Sequence, residues 1–154
     1  MEIEKKYLVK YIPEPEELHK VEGSHIDQYY VLIDGKAEAR IRLKNKKGIV
    51  KYYLTLKCGE GMVRTEVETE ITKAQFYDLA KTTTRKVLKT RLVTKEGYEV
   101  DIYHGDLTGL VTVEKEFNTI EEANSFTPPS WFGLDVTEDK RYKNRSLAVN
   151  GLPE

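Results

Sequence analysis

The chain predicts an α+β fold that is mainly β: eight antiparallel strands closed into a barrel, with helices packed outside. Three observations predict it. Runs of strictly alternating apolar and polar residues fill most of the chain, short turn signals separate many of them, and helix-start signals are few. Period-two alternation marks a half-buried strand, and tight Gly-bearing turns join antiparallel neighbours. At 154 residues the chain reads as one domain, 1–154, because domains commonly run to about 100–200 residues.

The alternating runs fall at 2–9, 25–34, 37–46, 49–57, 62–71, 84–96, 97–104 and 110–118. Asp34-Gly35, Lys47-Gly48, Gly59-Glu60-Gly61 and Glu96-Gly97 supply hairpin turns. Thr72 followed by Gln75 is a capping box, with Ile71 and Phe76 as the hydrophobic staple, so a helix is expected over 73–80. Thr119 with Glu122 repeats the signal for a short helix to 125. A third helix is expected after Thr137, with Glu138 and Asp139 in its first turn, where the dipole favours anions, and Gly151 at its end. The segments 13–23 and 127–134 read as loops.

Composition excludes several classes of function. The 25 Lys and Arg nearly balance 26 Asp and Glu, for a formal net charge of −1. A phosphate backbone is usually met by a basic excess, so no nucleic-acid partner is expected. One cysteine, Cys58, rules out an intramolecular disulfide and a Cys-based zinc site, and fits a reducing, cytoplasmic setting. No run is long and apolar enough for a membrane-spanning helix. Phosphate-loop, dinucleotide and nucleophile-elbow sequences are absent, and the three histidines lack metalloprotease spacing.

The charges carry the signal. Glu2, Glu4 and Lys6 share one face of the first strand, and Lys5 points the other way. Arg40, Arg42 and Lys44 share a face in the third strand, and Lys51 and Lys57 in the fourth. Arg64, Glu66, Glu68 and Glu70 do so in the fifth, and Arg85, Lys89, Arg91 and Lys95 in the sixth. Glu99 with Asp101 and Glu114 with Glu116 complete the set. A solvated sheet face could give this pattern on any one strand. Repeated in phase on every strand of a closed barrel with helices outside, it puts full charges in the lumen. Desolvated charge is costly unless paired, hydrated or ligand-bound. A polyanion that brings a divalent cation fits best: Arg and Lys hold phosphate oxygens, and carboxylates hold a hard ion such as Mg²⁺ or Mn²⁺.

At Glu2-Ile3-Glu4-Lys5-Lys6 the sequence resembles the E-x-E-x-K signature of the CYTH superfamily, the triphosphate tunnel metalloenzymes. "EARIRL", "YLTLK", "VRTEVE", "KVLKTR", "YEVDIY", "VEKEF" and "VTEDKRYKN" extend the resemblance along nearly the whole chain, most like bacterial short-form inorganic tripolyphosphatases. The resemblance implies a C-terminal helix, carrying Asp139, Lys140 and Tyr142, that closes over the tunnel. It implies one or two ions of Mg²⁺ or Mn²⁺, with Glu2, Glu4, Glu114, Glu116 and Asp101 as metal ligands. Lys6, Arg40, Arg42, Lys57, Arg64, Lys89, Arg91 and Lys140 are implied to bind substrate. Lys89, Tyr30, Glu66 and Glu68 are implied to act in catalysis, Tyr30 pairing with Lys89. Tyr29 competes with Tyr30 for that place.

The implied activity is metal-dependent hydrolysis of the terminal phosphoanhydride of inorganic tripolyphosphate, by a monomer or homodimer. Class IV-type adenylate cyclisation, thiamine or nucleoside triphosphate hydrolysis, and a non-catalytic polyphosphate- or organophosphate-binding module are the alternatives. Trp131 and Phe132, after Pro128-Pro129, are expected to anchor a loop over the apolar outer surface. Cys58, out of phase with Lys57, is expected to be a small buried residue.

Overall fold

The computed structural model describes residues 3–60 and 63–154, the side chains of residues 60, 63 and 64 excepted. Among the described residues nine strands form one antiparallel sheet: β1 (Ile3–Val9), β2 (Lys20–Asp34), β3 (Ala37–Lys46), β4 (Ile49–Glu60), β5 (Val63–Glu70), β6 (Lys86–Thr94), β7 (Glu99–Tyr103), β8 (Val111–Phe117) and β9 (Phe132–Asp135). The helices are α1 (Pro15–Leu18), α2 (Lys73–Ala80), α3 (Ile120–Ser125) and α4 (Asn144–Asn150). The strand order is β5-β4-β3-β2-β6-β7-β8-β1-β9.

Register puts the in-phase charges in cross-strand rows. Gln28 lies opposite Arg42, Tyr30 opposite Arg40, and Lys57 opposite both Glu38 and Glu66. Arg91 faces Asp101, Glu99 faces Glu114, and on β1 Lys6 faces Glu114 while Glu4 faces Glu116. Glu4 on β1 and Glu66 on β5 line the same cavity although β1 and β5 stand near opposite ends of the strand order. The sheet therefore curls, with its charges on the concave side.

Four expectations are corrected. Nine strands stand where eight were expected, and among the described residues the ladder ends at β5 and β9 instead of closing. The extra strand comes from the segment read as a loop: Phe132 pairs with Val9 and Asp135 with Tyr7. Buried Trp131 and Phe132 pull it into register by packing against Tyr7, Val100 and Val113, the outer apolar surface they were expected to cover. Residues 13–23 hold α1, with Pro15 at its start, and the opening of β2, which begins at Lys20 because its first residues pair with β6.

The expected third helix is broken. Residues 140–142 form a 3₁₀ turn in which the Asp139 side chain accepts from the Arg141 N–H, Lys143 is extended, and α4 starts at Asn144. The Tyr142 carbonyl accepts from Lys6 Nζ at 2.6 Å, and this tertiary bond fixes the chain at the break.

Apolar packing occupies both sides of the sheet. On the outer side α2 buries Phe76 against Ile41 and Leu43, and its capping box forms as expected, with Gln75 N donating to Thr72 Oγ1 and Thr72 N to Gln75 Oε1. The concave side is not wholly charged. At one end Tyr30, Val87, Tyr103, Leu107 and Leu110 form an apolar floor, and α4 sets Leu147 into it.

Candidate functional site

The concave face encloses a cavity of about 820 Å³. β1 supplies Glu4 and Lys6; β3 supplies Glu38, Arg40 and Arg42; β4 and β5 supply Lys57 and Glu66. Arg91, Glu99, Glu114 and Glu116 come from β6, β7 and β8, and Asp139, Lys140 and Tyr142 from the C-terminal segment.

One wall is basic. Arg42 donates through Nε and Nη2 to Gln28 Oε1 at 2.9 and 2.8 Å, and Gln28 Nε2 donates to the Tyr30 hydroxyl at 2.7 Å. Burial, then the neighbouring Arg40 and Arg91, holds the Arg42 guanidinium below its ordinary pKa. Arg40 lies 3.7 Å from Glu38, and its buried Nε has no partner among the described residues. Crowded cations and an orphaned buried donor are the state expected of a site built for an anion.

The facing wall is acidic. Glu4, Glu99, Glu114 and Glu116 project in adjacent rows of β1, β8 and β7. Burial raises the pKa of Glu99 and the Arg91 guanidinium 2.9 Å away opposes this, while Glu114 and Asp101 add to the rise. Lys6 Nζ sits 3.5 Å from Glu114. Carboxylate oxygens are hard donors suited to Mg²⁺ or Mn²⁺. No three His, Cys, Asp or Glu side chains are gathered for an ion among the described residues. An ion that takes one or two carboxylates and completes its shell with water and ligand phosphates needs no such cage, so the donor set fits a cation shared with a ligand.

Beneath the walls lies a buried anchor. Asp101 is 1% exposed and accepts from Lys89 Nζ at 2.9 Å and, in a fork, from Arg91 Nε and Nη2 at 2.8 and 2.9 Å. These cations outweigh the desolvation and lower the Asp101 pKa to about 2. Lys89 is 0% exposed; burial lowers its pKa to about 8, against the pull of Asp101.

Several expected roles change here. Asp101, expected as a metal ligand, has its oxygens engaged by Lys89 and Arg91 and anchors the Arg91 guanidinium. Lys89 is sealed below the cavity wall and does not pair with Tyr30; its partners are Asp101 and the Tyr103 ring, 5.7 Å from Nζ to centroid. Tyr30 lines the cavity, whereas Tyr29 packs edge-on against Phe76 on the outer side. Glu66 lines the cavity, and Glu68 accepts from Thr55 Oγ1 at 2.8 Å and acts electrostatically on the Arg42 guanidinium. Cys58, expected to be buried, is exposed at the cavity margin. Glu2 and the Arg64 side chain lie outside the described residues.

The chain is 40% identical over 154 residues to the inorganic triphosphatase of Nitrosomonas europaea, covering 97% of each sequence. It belongs to the inorganic triphosphatases of the CYTH superfamily. The inorganic triphosphatase of Acetivibrio thermocellus is 34% identical over 157 residues, 97% of this chain and 94% of that one. The crystal structure of the inorganic triphosphatase NE1496 matches with a TM-score of 0.77 at 36% identity, over 100% of this chain and 97% of that one. No family model matches. For this member of the inorganic triphosphatases, the cavity contains Glu99, which the sequence put on the charged face without a role, and residues that the sequence reading did not single out. Glu38 was legible, being in phase with Arg40. Lys143, Asn144 and Arg145 carry no strand phase, and only the docking of the C-terminal segment brings them in.

Proposed function

We propose that this chain hydrolyses the terminal phosphoanhydride of inorganic tripolyphosphate with one or two ions of Mg²⁺ or Mn²⁺. The observation that carries this reading is a basic wall with an orphaned Arg40 Nε facing an acidic wall across one cavity. Arg40, Arg42, Arg91, Lys57, Lys6, Lys140 and Arg64 would hold phosphate oxygens, the guanidiniums in bidentate fashion. Glu2, Glu4, Glu114 and Glu116 would hold the cation, which when bound draws charge from the phosphate oxygens and lowers the pKa of water.

The supporting residues fix these groups in advance. Gln28 holds the Arg42 guanidinium and the Tyr30 hydroxyl, and Asp101 holds Arg91 with Lys89 as counter-charge. Donors preset toward developing charge need no reorganisation during reaction, and removing one can cost about 3–4 kcal/mol. Glu66, which lines the cavity, would orient the attacking water, with Glu68 two residues on along β5. Closure of the curled sheet into a tunnel belongs to the same reading, with the ligand bridging the β1 and β5 sides. A balanced charge and a lone cysteine support a small-molecule substrate and a cytoplasmic setting.

The test is phosphate release from tripolyphosphate, pyrophosphate, ATP and thiamine triphosphate with Mg²⁺ or Mn²⁺ and after chelation. Tripolyphosphate is expected to be preferred, activity to vanish on chelation, and Arg40→Ala or Arg42→Ala to lower kcat/KM by about 10²-fold or more. Release from none of the four overturns the enzyme reading, and tight binding without turnover makes the protein a binding module.

A further inference from the structure

The cavity volume does not exclude an organic triphosphate. Small-molecule sites commonly occupy about 300–1,000 Å³, and this one measures about 820 Å³. Its lining disfavours one. A nucleoside or similar group needs apolar or aromatic surface to cover it; most of the lining residues are charged, and the aromatic ones, Tyr30 and Tyr142, are packed in the cluster that holds Leu147. The concave face does carry one apolar platform, Tyr30, Val87, Tyr103 and Leu110, at the end where the charged rows stop. That platform is already taken by Leu147 of α4, with Ala148 and Tyr142 packed beside it.

We propose that the C-terminal segment occupies in cis the subsite an organic group would need, and so restricts the site to bare inorganic triphosphates. This deepens the tripolyphosphatase reading and rests on it. Three ties from separate elements hold the occupant in place. Lys6 Nζ donates to the Tyr142 carbonyl at 2.6 Å, the Tyr103 hydroxyl donates to Asn144 Oδ1 at 2.8 Å, and Arg145 Nη2 donates to the Gly35 carbonyl at 2.9 Å. Leu147 itself is 2% exposed.

The ties differ in what they share with the charged walls. Lys6 belongs to both the anion site and the strap, so changing it would disturb phosphate binding and selectivity together. Leu147 lies outside the cavity lining and its loss empties the apolar platform, so it makes the clean test; Asn144 also lines the cavity, and its loss of the anchor on Tyr103 is controlled by Tyr103→Phe.

The experiment compares kcat/KM for ATP and for tripolyphosphate, with Mg²⁺, in the unchanged chain and in Leu147→Ala and Asn144→Ala, each checked for a cooperative unfolding transition. Opening an apolar subsite of one side chain is expected to raise the ATP-to-tripolyphosphate ratio by about tenfold or more. The gain should appear as a lower KM for ATP, which general loosening of the fold would not give. A ratio unchanged in both folded variants overturns the proposal, because the organic group then leaves by the other mouth or finds no subsite. If Leu147→Ala does not fold, Asn144→Ala with Tyr103→Phe decides it: both remove the same tie and must shift the ratio alike. Failure of the unchanged chain to hydrolyse tripolyphosphate would count against the parent reading and not against the strap alone.

Discussion

Replacing Asp101 by Asn tests the buried anchor and separates it from a metal-binding role. In the native protein Lys89 and Arg91 outweigh desolvation and lower the Asp101 pKa from 3.8 to about 2, so the ionised carboxylate favours the folded state at neutral pH. Burial lowers the Lys89 pKa from 10.5 to about 8 against the pull of Asp101. Desolvation and pairing thus oppose each other in the intact pair, as in many buried ion pairs. Asp101→Asn leaves the Lys89 ammonium buried without its carboxylate, a change that costs about 3–5 kcal/mol.

The pH dependence has a definite sign. With Asp101 gone, the folded-state pKa of Lys89 drops below about 8, because the carboxylate was holding it up. Over the interval between the two folded values the variant has already lost the proton in its native state while its unfolded chain still holds it, so its stability rises with pH. The parent gains nothing there. The stability gap measured by urea unfolding should narrow as pH rises from 6 toward about 8 and stay level above, where both native states are deprotonated at Lys89. On the acid side, the parent's contribution from Asp101 is present above 3.8 and lost as pH falls through about 2. A variant within about 0.5 kcal/mol of the parent at pH 6, or a gap that widens with pH, would refute the anchor. Unchanged stability with a shifted metal requirement would return Asp101 to the metal ligands.

Two further outcomes follow from the same geometry. Lys6→Ala should lower kcat/KM for tripolyphosphate by about tenfold or more, as loss of a charged hydrogen bond would, while Lys5→Ala, on the other face of β1 opposite Lys115, should change it by less than about twofold; equal losses in steady-state kinetics would dismantle the face assignment. Thr72→Ala removes the α2 cap and should cost about 1 kcal/mol in thermal or urea unfolding, with KM unmoved.

Most of the charged wall was legible because a strand has period two: once Arg40, Arg42 and Glu4 were in phase with apolar neighbours, their common face was fixed without any tertiary information. The same rule put Glu99 on that face and could have delivered Glu38. It could not distinguish a residue on a cavity wall from one sealed beneath it. Lys89 and Arg91 share a phase, yet Lys89 is buried on Asp101 and Arg91 reaches the cavity. Depth depends on which strands flank the residue and on what α4 covers, and neither is written locally.

Sequence by itself determined the strand phases, the α2 capping box and the family, because these rest on local geometry and on motifs in order along the chain. Tertiary structure decided the rest. It recruited β9 through Phe132 and Trp131, broke the last helix where Lys6 donates to the Tyr142 carbonyl, and engaged Asp101 as the anchor of Arg91. The physical reason is common to all three: each depends on a bond or packing contact between residues far apart in the chain, whose free energy exists only once the sheet has curled.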